Sequence, residues 1–342
     1  MMNKFCKSGV FLIFVSSLFL VFSCGKLRNN GSVSGSYENN SSELSSSGEV
    51  SSLIAQSIMT PGVINTDSSG KIEILIIEGE SSSDAHPSLV LTTPSDEWIM
   101  IGAGGHVKAS EPGSLLYTTY PQDEGLQSWV IQAKDHIRSS PGIIHGYAIL
   151  MKVQGISKNE LLKHMIVKQK TSTVTSLPET TLALNSDYIV IGGGYRVNWE
   201  WDGSNAGNHI VDSYPVGNGW RVQSKDHLWP DAVSITGYVI GIEKEISGLG
   251  TFINDINKAT SGIAGWPKEQ VGTDSGFVLV GGGADAHRYL PSGYGSYNGY
   301  GSMLIRNYPD PSGYWVAQAR DHINPDPSSL IVYSVGLKLL SQ

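Results

Sequence analysis

The octapeptide WVIQAKDH, Trp129–His136, returns as WRVQSKDH at Trp220–His227 and as WVAQARDH at Trp315–His322. An Asp beside a His, close after a Trp, resembles half of a catalytic or metal site. Read as a β-strand, the same letters fall into two faces, because alternate residues point to opposite sides. One face takes Trp129, Ile131, Ala133 and Asp135; the other takes Val130, Gln132, Lys134 and His136. The second copy places Trp220, Val222, Ser224 and Asp226 together, and the third Trp315, Ala317, Ala319 and Asp321. This face is apolar or small up to its Asp, so each Trp is expected to anchor a core. A core-facing carboxylate must be hydrogen-bonded, and the backbone N–H groups of the following turn are its nearest partners. The opposite face is mostly polar, so His136, His227 and His322 are expected on the wetter side, each clamping its own turn.

Other chemistry fits less well. A Ser-His-Asp triad needs an activated nucleophile, and no serine recurs in register with these motifs. One Asp-His pair supplies two ligands where a metal site needs three or more, and His86, His106, His145, His164, His209 and His287 do not recur. Neither metal nor cofactor is assigned, and no residue is assigned a catalytic role.

Working outward, an apolar strand that ends in glycines precedes each octapeptide: WIMIGAGG (Trp98–Gly105), YIVIGGG (Tyr188–Gly194) and FVLVGGG (Phe277–Gly283). The first glycines, Gly102, Gly192 and Gly281, step by 90 and 89 residues, which marks internal duplication. Gly104, Gly194 and Gly283 repeat as well, while Ala103 takes the middle position of the first copy. A dinucleotide site would need a strand, a spaced GxGxxG and then a helix. The segments after these glycines, YRVNWEWDG and ADAHRYLPSG, are not helix-like, so the glycines point to a bulge, a positive φ or a close backbone approach. Tyr-Pro pairs recur at Tyr120, Tyr214 and Tyr308, and a Tyr stands eleven residues past each His at Tyr147, Tyr238 and Tyr333.

The composition agrees with a β-rich chain. Among 342 residues there are 40 Gly, 15 Tyr and 8 Trp, with 16% charged residues. Aromatics favour strands and glycines favour turns. The expected fold is all-β, built from three tandem repeats over 71–160, 161–249 and 250–342. They form sandwich-like or β-prism-like modules with pseudo-threefold organisation; sandwich-like modules packed together are preferred. The only helical pattern is NELLKHMIV (Asn159–Val167), whose tail reads equally well as strand.

The N-terminus has a different character. Lys4 and Lys7 precede an apolar run from Val10 to Phe22, which reads as an export signal and is shorter than the ~20 residues of a spanning helix. The segment LVFSC (Leu20–Cys24) resembles the lipobox of bacterial lipoproteins, in a looser, spirochaete-like form with Val and Phe where Leu and a small residue are usual. That resemblance covers residues 1–24 only. It implies removal of residues 1–23 and lipid on the thiol and amine of Cys24, hence an exported protein anchored to the bacterial outer membrane or cell surface. Residues 24–70 would then begin with a flexible Ser/Asn/Gly tether. Loss of Cys6 leaves one cysteine, so an exported body would be held by packing, without disulfides. The net charge is -8. With Lys4 and Lys7 removed, 21 basic residues face 31 acidic ones, or -10. No basic run is present, which argues against nucleic acid as partner.

Where the copies differ, a ligand is expected. The third copy inserts RYLPSGYGSYNGYGS, with Tyr289, Tyr294, Tyr297 and Tyr300; the second has Trp199, Trp201 and Asp202, with Trp229 directly after its Asp-His. Aromatics on Gly/Ser/Asn loops give rigid contact area with adaptable hydrogen bonding, which suits a glycan or a protein partner. The alternative is that these rings cover module junctions of a structural spacer lipoprotein. A hydrolase is the remote third reading.

Overall fold

The computed structural model describes residues 64–110, 113–200, 207–229, 231–286, 302–323 and 325–340. The first third of the described chain contributes β1 (Ile64–Thr66), β2 (Ile72–Glu80), β3 (Ser88–Thr92), β4 (Ile99–Ala109), β5 (Leu115–Pro121), β6 (Ser128–Lys134) and β7 (Gly142–Val153). The second contributes α1 (Lys158–Lys163), β8 (Met165–Thr171), β9 (Glu179–Ala183), β10 (Tyr188–Val197), β11 (His209–Pro215), β12 (Gly219–Lys225) and β13 (Ile235–Glu243). The last contributes β14 (Glu245–Ile246), β15 (Gly250–Thr260), β16 (Lys268–Gly272), β17 (Val278–Asp285), β18 (Met303–Asp310), β19 (Tyr314–Arg320) and β20 (Ile331–Leu340).

The all-β class is thus observed. The single helix among the described residues is the short segment anticipated from NELLKHMIV. Ser157 caps it by accepting from the Glu160 N–H at 3.3 Å, and at His164 the chain turns directly into strand β8. No helix among the described residues is long and apolar enough to cross a membrane.

The strand order shows how the sheets are shared along the chain. Three antiparallel sheets run β1-β2-β7-β4-β18-β19-β16, β3-β6-β5-β10-β13-β8 and β14-β15-β20-β17-β11-β12-β9. Every sheet joins strands from two thirds of the chain, and the three joints form a closed cycle: first with second, second with third, third with first. No third of the described chain completes its own sheets. The apolar faces meet in one continuous core that runs from Ile72 to Leu339 and holds all three octapeptide tryptophans.

The glycine strands explain how the cycle closes. In each, the register slips just before the first glycine, at Met100/Gly102, Val190/Gly192 and Leu279/Gly281. The extra residue is a bulge, and its carbonyl faces the corresponding glycine of another copy. A Cβ on Gly192 would strike the Ile101 carbonyl, one on Gly281 the Ile191 carbonyl, and one on Gly102 the Val280 carbonyl at 3.1 Å. The third glycines serve the seams between copies. A Cβ on Gly104, Gly194 or Gly283 would overlap the carbonyl of Asn307, Thr119 or Ser213. Those carbonyls lie on β18, β5 and β11, the strands that pair across the seams with β4, β10 and β17. Glycine is required here for close approach; none of these six has a positive φ.

The tyrosines finish the seams. Tyr120 stacks on Tyr238 with centroids 5.3 Å apart, Tyr214 on Tyr333 at 4.9 Å, and Tyr308 on Tyr147 at 4.8 Å. The two tyrosine positions noted in sequence therefore meet each other, always between different copies.

Candidate functional site at the histidine cluster

Each octapeptide lies on a strand, β6, β12 or β19, and its Trp is buried as the alternation implied. Every indole N–H is satisfied one residue before a Tyr-Pro pair. Trp129 Nε1 donates to Thr119 Oγ1 at 2.7 Å, Trp220 Nε1 to Ser213 Oγ at 3.0 Å and Trp315 Nε1 to Asn307 Oδ1 at 2.7 Å. The Asp closes the following turn. Asp135 Oδ2 accepts from the Ser140 N–H at 2.7 Å and its Oδ1 from Ser114 Oγ at 3.1 Å. Backbone donors at Asp231 and Asp326 serve Asp226 and Asp321 in the same way. Burial pushes the Asp226 carboxyl up to about 6 and raises Asp135 and Asp321 in the same direction.

The other face is not the wetter one. Lys134, Lys225 and Arg320 are buried, and so are His136, His227 and His322. A strand covered on both faces loses the contrast on which the face assignment rested. The histidines do not clamp their own turns. His136 Nε2 reaches the His227 carbonyl at 2.7 Å, and His227 Nε2 reaches the His322 carbonyl at 2.6 Å. Carbonyl oxygens only accept, so both Nε2 atoms carry the proton. The three ring centroids are 5.3 Å apart in every pairing. One nitrogen from each ring lies within 4.8 Å of the others.

A strained turn follows each histidine. Ile137, Leu228 and Ile323 have φ of 64°, 62° and 68°. The Arg138 N–H returns to the His136 carbonyl at 2.6 Å and the Trp229 N–H to the His227 carbonyl at 2.7 Å. These are γ-turns of the strained hand. The His227 and His322 carbonyls beside these turns are the ones that the neighbouring imidazoles reach.

His209 joins the group. It is fully buried, its ring centroid lies 4.7 Å from that of His136, and burial first, then neighbouring Lys134 and the three other imidazoles, lowers it well below the usual histidine range. Burial foremost, then the imidazoles of His136 and His227, holds His322 near 3. Burial also draws Lys225 down to about 8, against the carboxylates of Asp326, Asp212 and Asp321.

Of the anticipated ligand residues, Trp199 is half-buried. It packs edge-on against His86 at 5.5 Å and Tyr117 at 5.8 Å, with Lys134 Nζ 4.2 Å above its ring. Trp229 is 50% exposed beside the His227 turn. Tyr289, Tyr294, Tyr297, Tyr300, Trp201, Asp202 and Cys24 lie outside the described residues. The reading from sequence missed the meeting of the three histidines, since it asked what one copy could ligate rather than what three could. The threefold recurrence of the His was the available signal; His209 had none. No protein-family model matches this sequence, and no curated protein matches it.

Proposed function

We propose that this chain is an exported, lipid-anchored recognition protein that holds a glycan or protein ligand on the loops around the histidine cluster. One observation supports this reading most: described ends of the β4–β5 and β10–β11 connections lie close to the octapeptide ends. Gly113 abuts Arg320, Asn208 bonds to Asp226, and His209 stands beside His136. In the sequence, Trp199, Trp201 and Asp202 belong to the β10–β11 connection and the four tyrosines to the β17–β18 connection. Recognition residues concentrate on loops set by a rigid frame. The lipobox-like LVFSC segment supports export and anchoring through Cys24.

Glycan arrays and partner-binding assays on the full chain test the reading. Replacing Trp229, Tyr294 or Tyr297 by Ala is expected to weaken a hit by about tenfold while the melting temperature holds, since such anchors carry more than about 1 kcal/mol each. Arrays and partner assays that stay blank would overturn it. The alternative, a structural spacer lipoprotein, is favoured by the packing of Trp199 against His86 and Tyr117. It predicts that ring replacements alter stability alone. Anchoring has a separate test: Cys24→Ala should move the protein out of the detergent phase, and unchanged partitioning would refute the lipid claim.

A further inference from the structure

We propose that His136, His227, His322 and His209 form a buried site for a divalent transition-metal ion of the zinc and copper class. The site is independent of any ligand on the loops, and four observations carry it.

The first is convergence. Three imidazoles from three distant strand ends bring ring nitrogens within 4.8 Å of one another, all of them buried. An ion at the centre of such a triangle would sit about 2.8 Å from each nitrogen, so each ring need close by only about 0.7 Å to reach the ~2.1 Å of a zinc–imidazole bond. The second is orientation. His136 and His227 donate Nε2–H to the backbone carbonyls of His227 and His322, bonds of the kind that orient metal-bound histidines.

The third is a break in the cycle. His322 does not extend the pattern to the His136 carbonyl; both of its ring nitrogens lack a hydrogen-bond partner among the described residues, and so do both of His209. A buried polar atom without a partner costs about 1–3 kcal/mol. Each neutral ring carries one lone pair, so His322 and His209 bring two unshared lone pairs to the cluster, which a metal ion would accept. The fourth is the identity of His209 itself. The equivalent first-turn positions of β5 and β18 hold Leu115 and Met303, both buried. Packing at this level is therefore met by an apolar side chain, and the imidazole of the second copy needs another reason.

The donor set selects the metal. Imidazole nitrogens suit zinc, copper and nickel; calcium and magnesium want oxygen. Three rings converge, and His209, its centroid 4.7 Å from that of His136, would supply the fourth ligand of a four-coordinate site closed to substrate, as in structural zinc centres. Near the cluster, Asp226 faces the buried charge of Lys134 and Asp321 that of Lys225.

The test uses the untagged full chain, stripped with a chelator and then titrated with zinc, cobalt, calcium and magnesium chlorides. Expected are one zinc or cobalt ion per chain, visible cobalt bands of four-coordinate intensity, a melting temperature raised by zinc, and no such response to calcium or magnesium. His209→Leu, which installs the side chain already used at position 115, should keep the fold and lower zinc affinity by more than about tenfold. It should also change the cobalt spectrum. His322→Gln should act in the same direction. Failure of the stripped chain to take up a stoichiometric ion would overturn the site. Unchanged zinc affinity and cobalt spectrum in His209→Leu would overturn it equally, and that variant decides the matter if His322→Gln does not fold.

Discussion

At Ile323 a β-branched side chain sits at φ 68°, 42% exposed. Left-handed backbone costs a residue with a Cβ about 1–2 kcal/mol, and Asn tolerates it best. The exposed side chain offers little packing in return. Ile323→Asn is therefore expected to stabilise the protein by about 1 kcal/mol, seen as a higher urea midpoint at unchanged slope. A midpoint that falls would show that the strain is needed by the cluster it borders. Away from the axis, His106 stacks on His145 with centroids 4.8 Å apart, and Arg306, Lys108, Tyr147 and Tyr308 also face it, with Glu80 paired to His145. Burial, then Arg306, lowers His106 to about 4. Its unfolded pKa is near 6.5, so the unfolded chain binds the proton first as pH falls. This contribution to stability is complete above about pH 6.5 and lost as pH falls toward 4. His106→Gln should flatten the pH dependence of stability over that window by about one proton; an unchanged slope would refute the assignment.

Elements meet through backbone as much as through side chains. At Gly194 a Cβ would overlap the Thr119 carbonyl across the β5–β10 seam, whereas a Cβ on Gly262 meets nothing within 4 Å. Gly194→Ala should cost about 1–3 kcal/mol through forced backbone shifts, and Gly262→Ala should change stability by less than about 0.5 kcal/mol. Thermal or urea melts of the two variants check this contrast. Much of the element scale was legible beforehand. The Trp anchors and the glycine strands follow from alternation and turn chemistry, whereas the tail of NELLKHMIV leaves helix and strand both open. The short strand β16, Lys268–Gly272, was not visible, because KEQVG is polar and has no strong apolar alternation. The placement of Lys134 and His136 on a wet face failed for a related reason. Alternation reports one covered face, and these strand ends are covered on both.

For the whole molecule, the repeat was readable and its closure was not. A spacing of 90 and 89 residues shows duplication, but which copy supplies the partner of each seam strand is a matter of three-dimensional pairing. The shared sheets make the thirds interdependent. A chain ending at residue 249 would lack β15–β20 and leave β4 and β11 without their seam partners. It is expected to remain largely unfolded, with weak dispersion of its NMR signals. The intact body should melt in one transition whether followed by far-UV or tryptophan signals. Separate transitions would indicate that the thirds are more autonomous than the sheet order implies.

The seam between β4 and β18 also bears on the timing of synthesis. Arg306 pairs with His106 and Asn307 with Gly105, partners about two hundred residues apart. At roughly 5–20 residues per second, the inner edge of β4 waits at least ten seconds or so for its neighbour to leave the ribosome. An unpaired edge is a template for the wrong strand, and such distant pairing slows folding. The nascent chain is thus held back from its final form until almost its last strand is made.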